Sequence, residues 1–143
     1  MVSDSVKMKK ILALDLGERR IGLAISDALQ MLAHPLATIE WHGIKSLIKE
    51  LEQIIEDHAI ETVVVGLPYT MKGSYSKKTI QVSKIIEGLR ENLQVPVREI
   101  DERLTTKMAE QALRNVGKKA SRERAKIDQI AAVFILQSYL DRR

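Results

Sequence analysis

Three carboxylates stand in three separated segments of the chain: Asp15 in Asp15-Leu16-Gly17, Glu102 in Asp101-Glu102-Arg103-Leu104-Thr105-Thr106, and Asp128 in Lys126-Ile127-Asp128. Each adjoins the end of a segment expected in the core, so folding can bring all three to one place. An all-oxygen donor set suits a hard divalent cation. Mg²⁺ and Mn²⁺ favour carboxylate oxygens, and Mg²⁺ usually keeps waters and substrate phosphates in its shell. Singly, each acid has an ordinary reading. Asp-x-Gly is a common turn; Glu102 lies in the charged run Arg98 to Arg103, where local ion pairs suffice; Asp128 is in reach of Arg124 and Lys126. Asp101 competes with Glu102 as the ligand, because adjacent side chains in extended backbone face oppositely. Asp128 is the most demanding of the three. The helix that continues from it, Ile130 to Leu136, is apolar nearly all round and must be buried, and a carboxylate taken into a core needs a cation. His34, His42 and His58 have no cysteine partner and no close zinc-ligand spacing, so surface or packing roles are expected of them.

Cations that suit phosphate lie near these acids. Lys118, Lys119, Arg122, Arg124 and Lys126 fall between two helices immediately before Asp128, the best candidate for nucleic-acid backbone contacts. The polar stretch Gly66 to Ser74 leaves a buried strand and enters a helix, where start amides with Lys72, Lys77 and Lys78 can hold a phosphate. It is no P-loop, since the Gly-Lys-Ser/Thr order is absent. Charge follows the same division. Residues 1–71 carry seven Lys/Arg against ten Asp/Glu, a net of −3, and residues 72–143 carry sixteen against nine, a net of +7. One side of the molecule is thereby suited to a polyanion. With one Trp, one Phe and three Tyr in the chain, stacking platforms are scarce, and sequence-specific reading of unstacked bases is not indicated.

The elements that must position these residues follow from periodicity. Ile11 to Leu14 and Ile21 to Ile25 read as a hairpin around Gly17, and Ala33 to Glu40 as a third antiparallel strand with Pro35 suited to an edge. Ile44, Leu47, Ile48, Leu51, Ile54 and Ile55 have helical spacing. Val63-Val64-Val65-Gly66-Leu67 is β-branched and continuous, as in a parallel strand covered on both faces. Val82, Ile85, Ile86, Leu89 and Leu93 mark a second helix, and Val95 to Ile100 another strand. Thr105 or Thr106 can cap a helix ending before Gly117, and a last helix should run from about Ser121 to Tyr139, with Phe134 buried and Ala131 and Ala132 permitting close approach to the sheet. The expected class is α/β: a mixed five-stranded sheet flanked by helices, in an order that resembles the ribonuclease H-like arrangement.

At 143 residues the chain suits one domain without staples. Residues 1–8 are expected to form a flexible N-terminal extension, with residues 9–143 as the domain. The absence of Cys excludes a disulfide framework and thiolate zinc, and no apolar run reaches the ~20 residues of a membrane span. A cytoplasmic setting is expected.

Four segments in order, Asp15-Leu16-Gly17-Glu18-Arg19-Arg20-Ile21-Gly22, Val64-Val65-Gly66-Leu67-Pro68, Asp101 to Thr106, and Lys126-Ile127-Asp128-Gln129-Ile130-Ala131-Ala132, resemble the YqgF/RuvX family of pre-16S ribosomal RNA nucleases, formerly described as Holliday-junction resolvases. The resemblance covers roughly residues 9 to 140. It implies a ribonuclease H-like, metal-dependent endonuclease that matures the 5′ end of small-subunit ribosomal RNA, with Asp15, Glu102 and Asp128 as catalytic and metal-binding triad. Two Mg²⁺ or Mn²⁺ ions about 3.5 to 4 Å apart would serve an in-line attack on the phosphodiester. Arg20 and Arg103 would brace the acids or bind phosphate, and Lys72, Lys118, Lys119, Arg122 and Lys126 would contact nucleic acid. Expected partners are structured precursor RNA or branched DNA and no membrane, with a homodimer left open. A Holliday-junction resolvase and a non-catalytic RNA-binding factor are the alternatives. One departure from the wider resolvase superfamily stands out: the strand through Val65 ends in Gly66-Leu67-Pro68 with no acid.

Overall fold

The computed structural model describes residues 9–68, 73, 75–102 and 124–143, with residues 124–127 described in backbone only. The expected N-terminal extension, the loop from 69 to 72 and the helix placed between Thr105 and Gly117 lie outside these residues.

Five strands form one sheet. β1 (Lys10–Leu16) pairs antiparallel with β2 (Arg20–Ser26), which pairs antiparallel with β3 (Ala33–Glu40). On its other side β1 pairs in parallel with β4 (Ile60–Leu67), and β4 in parallel with β5 (Val97–Asp101). The spatial order is β3-β2-β1-β4-β5. β3 is therefore an edge, where Pro35 is tolerated because no further strand needs its missing N–H. The β2–β3 register shifts between Leu23 and Ala24, which pair with Ala37 and Pro35, so Leu36 is the extra residue. β5 begins two residues later than the apolar pattern suggests. Pro96 has no N–H to donate to a ladder, although its carbonyl accepts from Val63 N at 2.9 Å.

The described helices are α1 (Ile44–His58), α2 (Lys77–Asn92) and α3 (Arg124–Asp141). α1 follows Gly43, whose φ of 98° only glycine adopts without strain. α2 starts with a capping box: Ser76 Oγ accepts from Thr79 N at 3.2 Å, and Thr79 Oγ1 accepts from Ser76 N at 3.0 Å. The Thr79 hydroxyl also donates to the Pro68 carbonyl, tying the start of α2 to the end of β4.

Two apolar clusters lie on opposite faces of the sheet. One joins alternate residues of the strands, such as Leu12, Leu14, Leu23, Val63 and Val65, to Leu47 and Leu51 of α1 and Ile86 and Leu89 of α2. The other joins Ile11, Ala13, Ala24 and Val64 to Ala132, Ile135, Leu136 and Leu140 of α3. β1 and β4 supply side chains to both, and hence read as continuous apolar runs. Phe134 is half-buried rather than fully buried, because a helix packed on one face of a sheet turns only part of its circumference inward. Among the described residues, no helix is long and apolar enough to cross a membrane.

Candidate active site

Asp15 lies near the C-terminal end of β1, opposite Gly22 of β2. The turn between them is closed by Gly17 N donating to Arg20 O at 3.0 Å, and a Cβ on Gly17 would stand 2.6 Å from that same carbonyl. Gly22 is bare for a longer-range reason. A Cβ there would collide with the backbone carbonyl of Asp128, so the second turn of α3 rests directly on β2. The sequence points to Ala131 and Ala132 for close approach; Ala132 is indeed fully buried, but the tightest point is on the sheet. Asp128 is brought in this way beside Arg20, whose Nε is 3.6 Å from Asp128 Oδ2. The pair joins the hairpin to the helix; the side chains of Arg124 and Lys126 lie outside the described residues.

Glu102 follows β5 directly, its N–H donating to the Leu67 carbonyl at 3.3 Å. Its carboxylate enters the space left by Gly66. A Cβ on Gly66 would be 2.5 Å from Glu102 Oε2 and 2.6 Å from Ile135 Cδ1. The absence of an acid at the end of β4 has a physical cause here: any side chain at 66 would displace the carboxylate that the next strand delivers. The same contact separates Glu102 from Asp101. Glu102 reaches over β4 toward α3 and Asp15, while Asp101 occupies the ladder position opposite Leu67.

Burial raises the Asp15 carboxyl from its ordinary 3.8 to about 6; Lys78 opposes the shift and Asp128 adds to it. Glu102 rises from 4.5 to about 7, first through burial, then through the charge of Asp15, with Lys78 opposing and Asp101 adding. In both acids the loss of hydration on burial outweighs the opposing charge of Lys78. Lys78 is the residue whose place the sequence shows least well. Expected as a phosphate contact, it comes from the first turn of α2 to lie within electrostatic reach of both carboxylates. One start amide of that helix, Thr79 N, is taken by the Ser76 cap.

Beside the acids a groove of about 660 Å³ is lined by Gly17, Glu18, Arg19, Arg20 and Asp128.

A family profile described as "RuvX: Holliday junction resolvase" matches residues 9–142. The chain belongs to the RuvX family. That membership makes it a phosphodiester hydrolase. Curated relatives named "Putative pre-16S rRNA nuclease" include one from Chloroflexus aurantiacus, 47% identical over 93% of this chain and 87% of its own length. Another, from Natranaerobius thermophilus, is 39% identical over 94% and 95%. Among solved structures, RuvC of Thermus thermophilus in complex with a Holliday junction superposes with a TM-score of 0.57, at 15% identity, over 94% of this chain and 95% of that one. The fowlpox virus resolvase with its junction DNA gives 0.55 at 15% identity, over 93% and 97%. At that identity the likeness is one of fold, the ribonuclease H-like fold of RuvC-type resolvases.

The RuvX chain thus couples Asp15 electrostatically to both Glu102 and Asp128. Among the described residues no three acids or histidines stand close enough together to form a group that could hold a metal ion as they lie. The donor chemistry nevertheless fits Mg²⁺ or Mn²⁺: two largely desolvated carboxylates and a third beside them, all oxygen, at a groove open to water and phosphate. His34 and His42 are exposed, the latter 3.3 Å from Glu40. Lys72, Arg103, Lys118, Lys119 and Arg122, and the side chain of Lys126, lie outside the described residues.

Proposed function

We propose that this RuvX protein is a metal-dependent endonuclease that acts on structured RNA and processes the 5′ end of precursor 16S ribosomal RNA in the cytoplasm, with Asp15, Glu102 and Asp128 as its catalytic and metal-binding acids. The observation that carries the reading is the desolvation of Asp15 and Glu102 near each other, with Asp15 coupled to an Asp128 that lines an open groove. A fold keeps two carboxylates in that state only at a cost, and an arriving cation removes it. Two Mg²⁺ or Mn²⁺ ions bound there would supply Lewis-acid stabilisation of the phosphate and a water acidic enough to attack it.

The protein's own groups do the rest. Asp15, coupled to both other acids, is the shared holder. Glu102, with a carboxyl raised to about 7, is only partly ionised near neutral pH, so cation binding releases protons. Arg20 holds Asp128 and lines the groove, where its remaining N–H groups face a phosphate path. Lys78 moderates the acid pair and so limits its mutual repulsion. Lys72, Arg103, Lys118, Lys119, Arg122 and Lys126 are proposed as further partners of the nucleic-acid backbone. Neutralising any one of them should flatten the slope of log affinity against log salt by roughly 0.7 to 0.9. The relatives' printed names favour ribosomal precursor RNA; the family description favours a four-way junction.

Purified precursor RNA and a four-way DNA junction, incubated in parallel with Mg²⁺, Mn²⁺ or chelator, separate these readings. Cleavage of the RNA with metal and none with chelator is expected. Cutting confined to the junction would make the protein a resolvase, and tight RNA binding with no cleavage under any condition would make it a binding factor.

A further inference from the structure

The hairpin turn that carries Gly17 and Glu18 separates two grooves rather than bordering one. On the α3 side lies the groove of Arg20 and Asp128. On the α2 side lies a second groove of about 510 Å³, lined by Leu16, Gly17, Glu18, Trp41, Gln81, Lys84 and Ile85. The two share Gly17 and Glu18, so the turn forms a low saddle between them. Trp41 follows β3, and its N–H donates to the Arg19 carbonyl at 2.9 Å. The indole is half-buried and packs against the cluster under α1 and α2, yet it lines the groove. Lys84 and Gln81 are exposed on the same stretch of α2 whose first turn carries Lys78. From Lys78 to Lys84 the helix rises about 9 Å, so the helix that carries Lys78 toward the acids also supplies Gln81, Lys84 and Ile85 to the groove of the indole.

We propose that this second groove is a nucleotide subsite: the strand cut at the acids crosses the Gly17–Glu18 saddle and places an unpaired base against Trp41, with Lys84 on the adjoining phosphate. The inference rests on the nuclease reading and adds a requirement to it, that the substrate be single-stranded beside the scissile bond. An indole supported by core on one side and open to a groove on the other is a rigid stacking platform, and stacking accepts any base. Glu18, and Asp128 until it holds a cation, are at odds with a phosphate path, but across the two grooves Arg19, Arg20 and Lys84 outnumber them among the described residues. The duplex portion of a structured substrate stays on the α3 side. No sequence signal marks Trp41, since a lone aromatic after an edge strand carries no motif.

Trp41 is the chain's only tryptophan, so emission excited selectively at the indole, beyond the absorption of the three tyrosines, reports on this groove. With chelator present to prevent cleavage, the protein is titrated with an RNA hairpin bearing a single-stranded 5′ extension, the same hairpin blunt-ended, and a DNA hairpin with the extension, while anisotropy of a label on each follows binding. Saturable quenching by the extended RNA hairpin, and none by the blunt one, is expected. Trp41→Leu should weaken the extended hairpin between about fivefold and about a hundredfold, the range for one stacked base. Trp41→Phe should restore most of that affinity, which a general loss of structure would not allow. Lys84→Gln should lower the salt slope by roughly 0.7. Quenching by DNA but not RNA keeps the subsite and overturns RNA as its occupant. Binding of the extended hairpin with unchanged emission, or with Trp41→Leu as tight as wild type, overturns the subsite while metal-dependent cleavage by the same preparation leaves the nuclease reading intact. Absence of both binding and cleavage overturns both.

Discussion

The two faces of the sheet are covered on different principles. Under α1 and α2 the strands present large aliphatics, and Leu47, Leu51, Ile86 and Leu89 meet them fully or almost fully buried. Under α3 the sheet is thin: Ala13 and Ala24 meet Ala132, while Gly22 and Gly66 have no side chain at the points where Asp128 and Glu102 come in. The first face gains from volume, since each buried aliphatic removes apolar surface from water. The second gives up side-chain volume so that backbone can approach backbone and two carboxylates can reach Asp15. Stability and placement are thus assigned largely to opposite sides of one sheet, and substitutions on the two sides should fail in different ways.

The sharpest separation is expected at the acids, which lie where placement has been favoured over stability. Asp15→Asn and Glu102→Gln should each reduce cleavage by about a thousandfold, about 4 kcal/mol of barrier; either variant cutting at wild-type rate would refute the metal-nuclease assignment. Without metal, Asp15→Asn should melt at or above wild type. Both carboxyls titrate above their ordinary values of 3.8 and 4.5, at about 6 and about 7. Between those limits the folded chain holds protons that the unfolded chain has released. Metal-free stability is therefore full below about pH 4 and falls as pH rises through 6 and 7. Melting curves across pH 4 to 8 should show that fall in wild type and a shallower one in Asp15→Asn. Saturating Mn²⁺ should reverse the ranking, because a ligand at 100 times its dissociation constant adds about 2.7 kcal/mol to the fold that binds it. Equal shifts in both proteins would remove Asp15 from the ion's shell.

On the large-residue face, Leu51→Ala should cost about 2 to 5 kcal/mol of unfolding free energy and leave the activity of the folded fraction unchanged, measured below the lowered Tm. Gly22→Ala, on the thin face, should cost less, about 1 to 3 kcal/mol. Its loss of activity should nevertheless exceed that of Leu51→Ala, because the added methyl pushes Asp128 and the start of α3 off the sheet. If Leu51→Ala proves the less active at equal folded fraction, the division between the faces does not hold. The smallest effect is expected at Ser76→Ala, which removes the cap on α2 at about 1 kcal/mol. By loosening the turn that carries Lys78, it should also raise the Mn²⁺ needed for half-maximal cleavage slightly or not at all.

Much of this architecture can be read along the chain. The hairpin about Gly17, the edge position of Pro35, the covered strand at Val63 to Leu67 and the order of elements all depend on spacing between near neighbours, and near neighbours determine strand and helix periods. The family motifs singled out Asp15, Glu102 and Asp128 for the same reason, as short words at the ends of such elements. What the chain could not disclose joins residues far apart in sequence. Gly66 is bare because Glu102 and Ile135 fill its space, and Gly22 because Asp128 rests on it. Lys78 beside the acids and Trp41 beside the saddle belong to the same class. A glycine in a strand, or a lysine in a first helical turn, looks alike whether or not something distant depends on it. Local backbone preference and apolar period set the elements; only packing decides which surfaces meet, because close packing leaves room for one side chain where the sequence allows several.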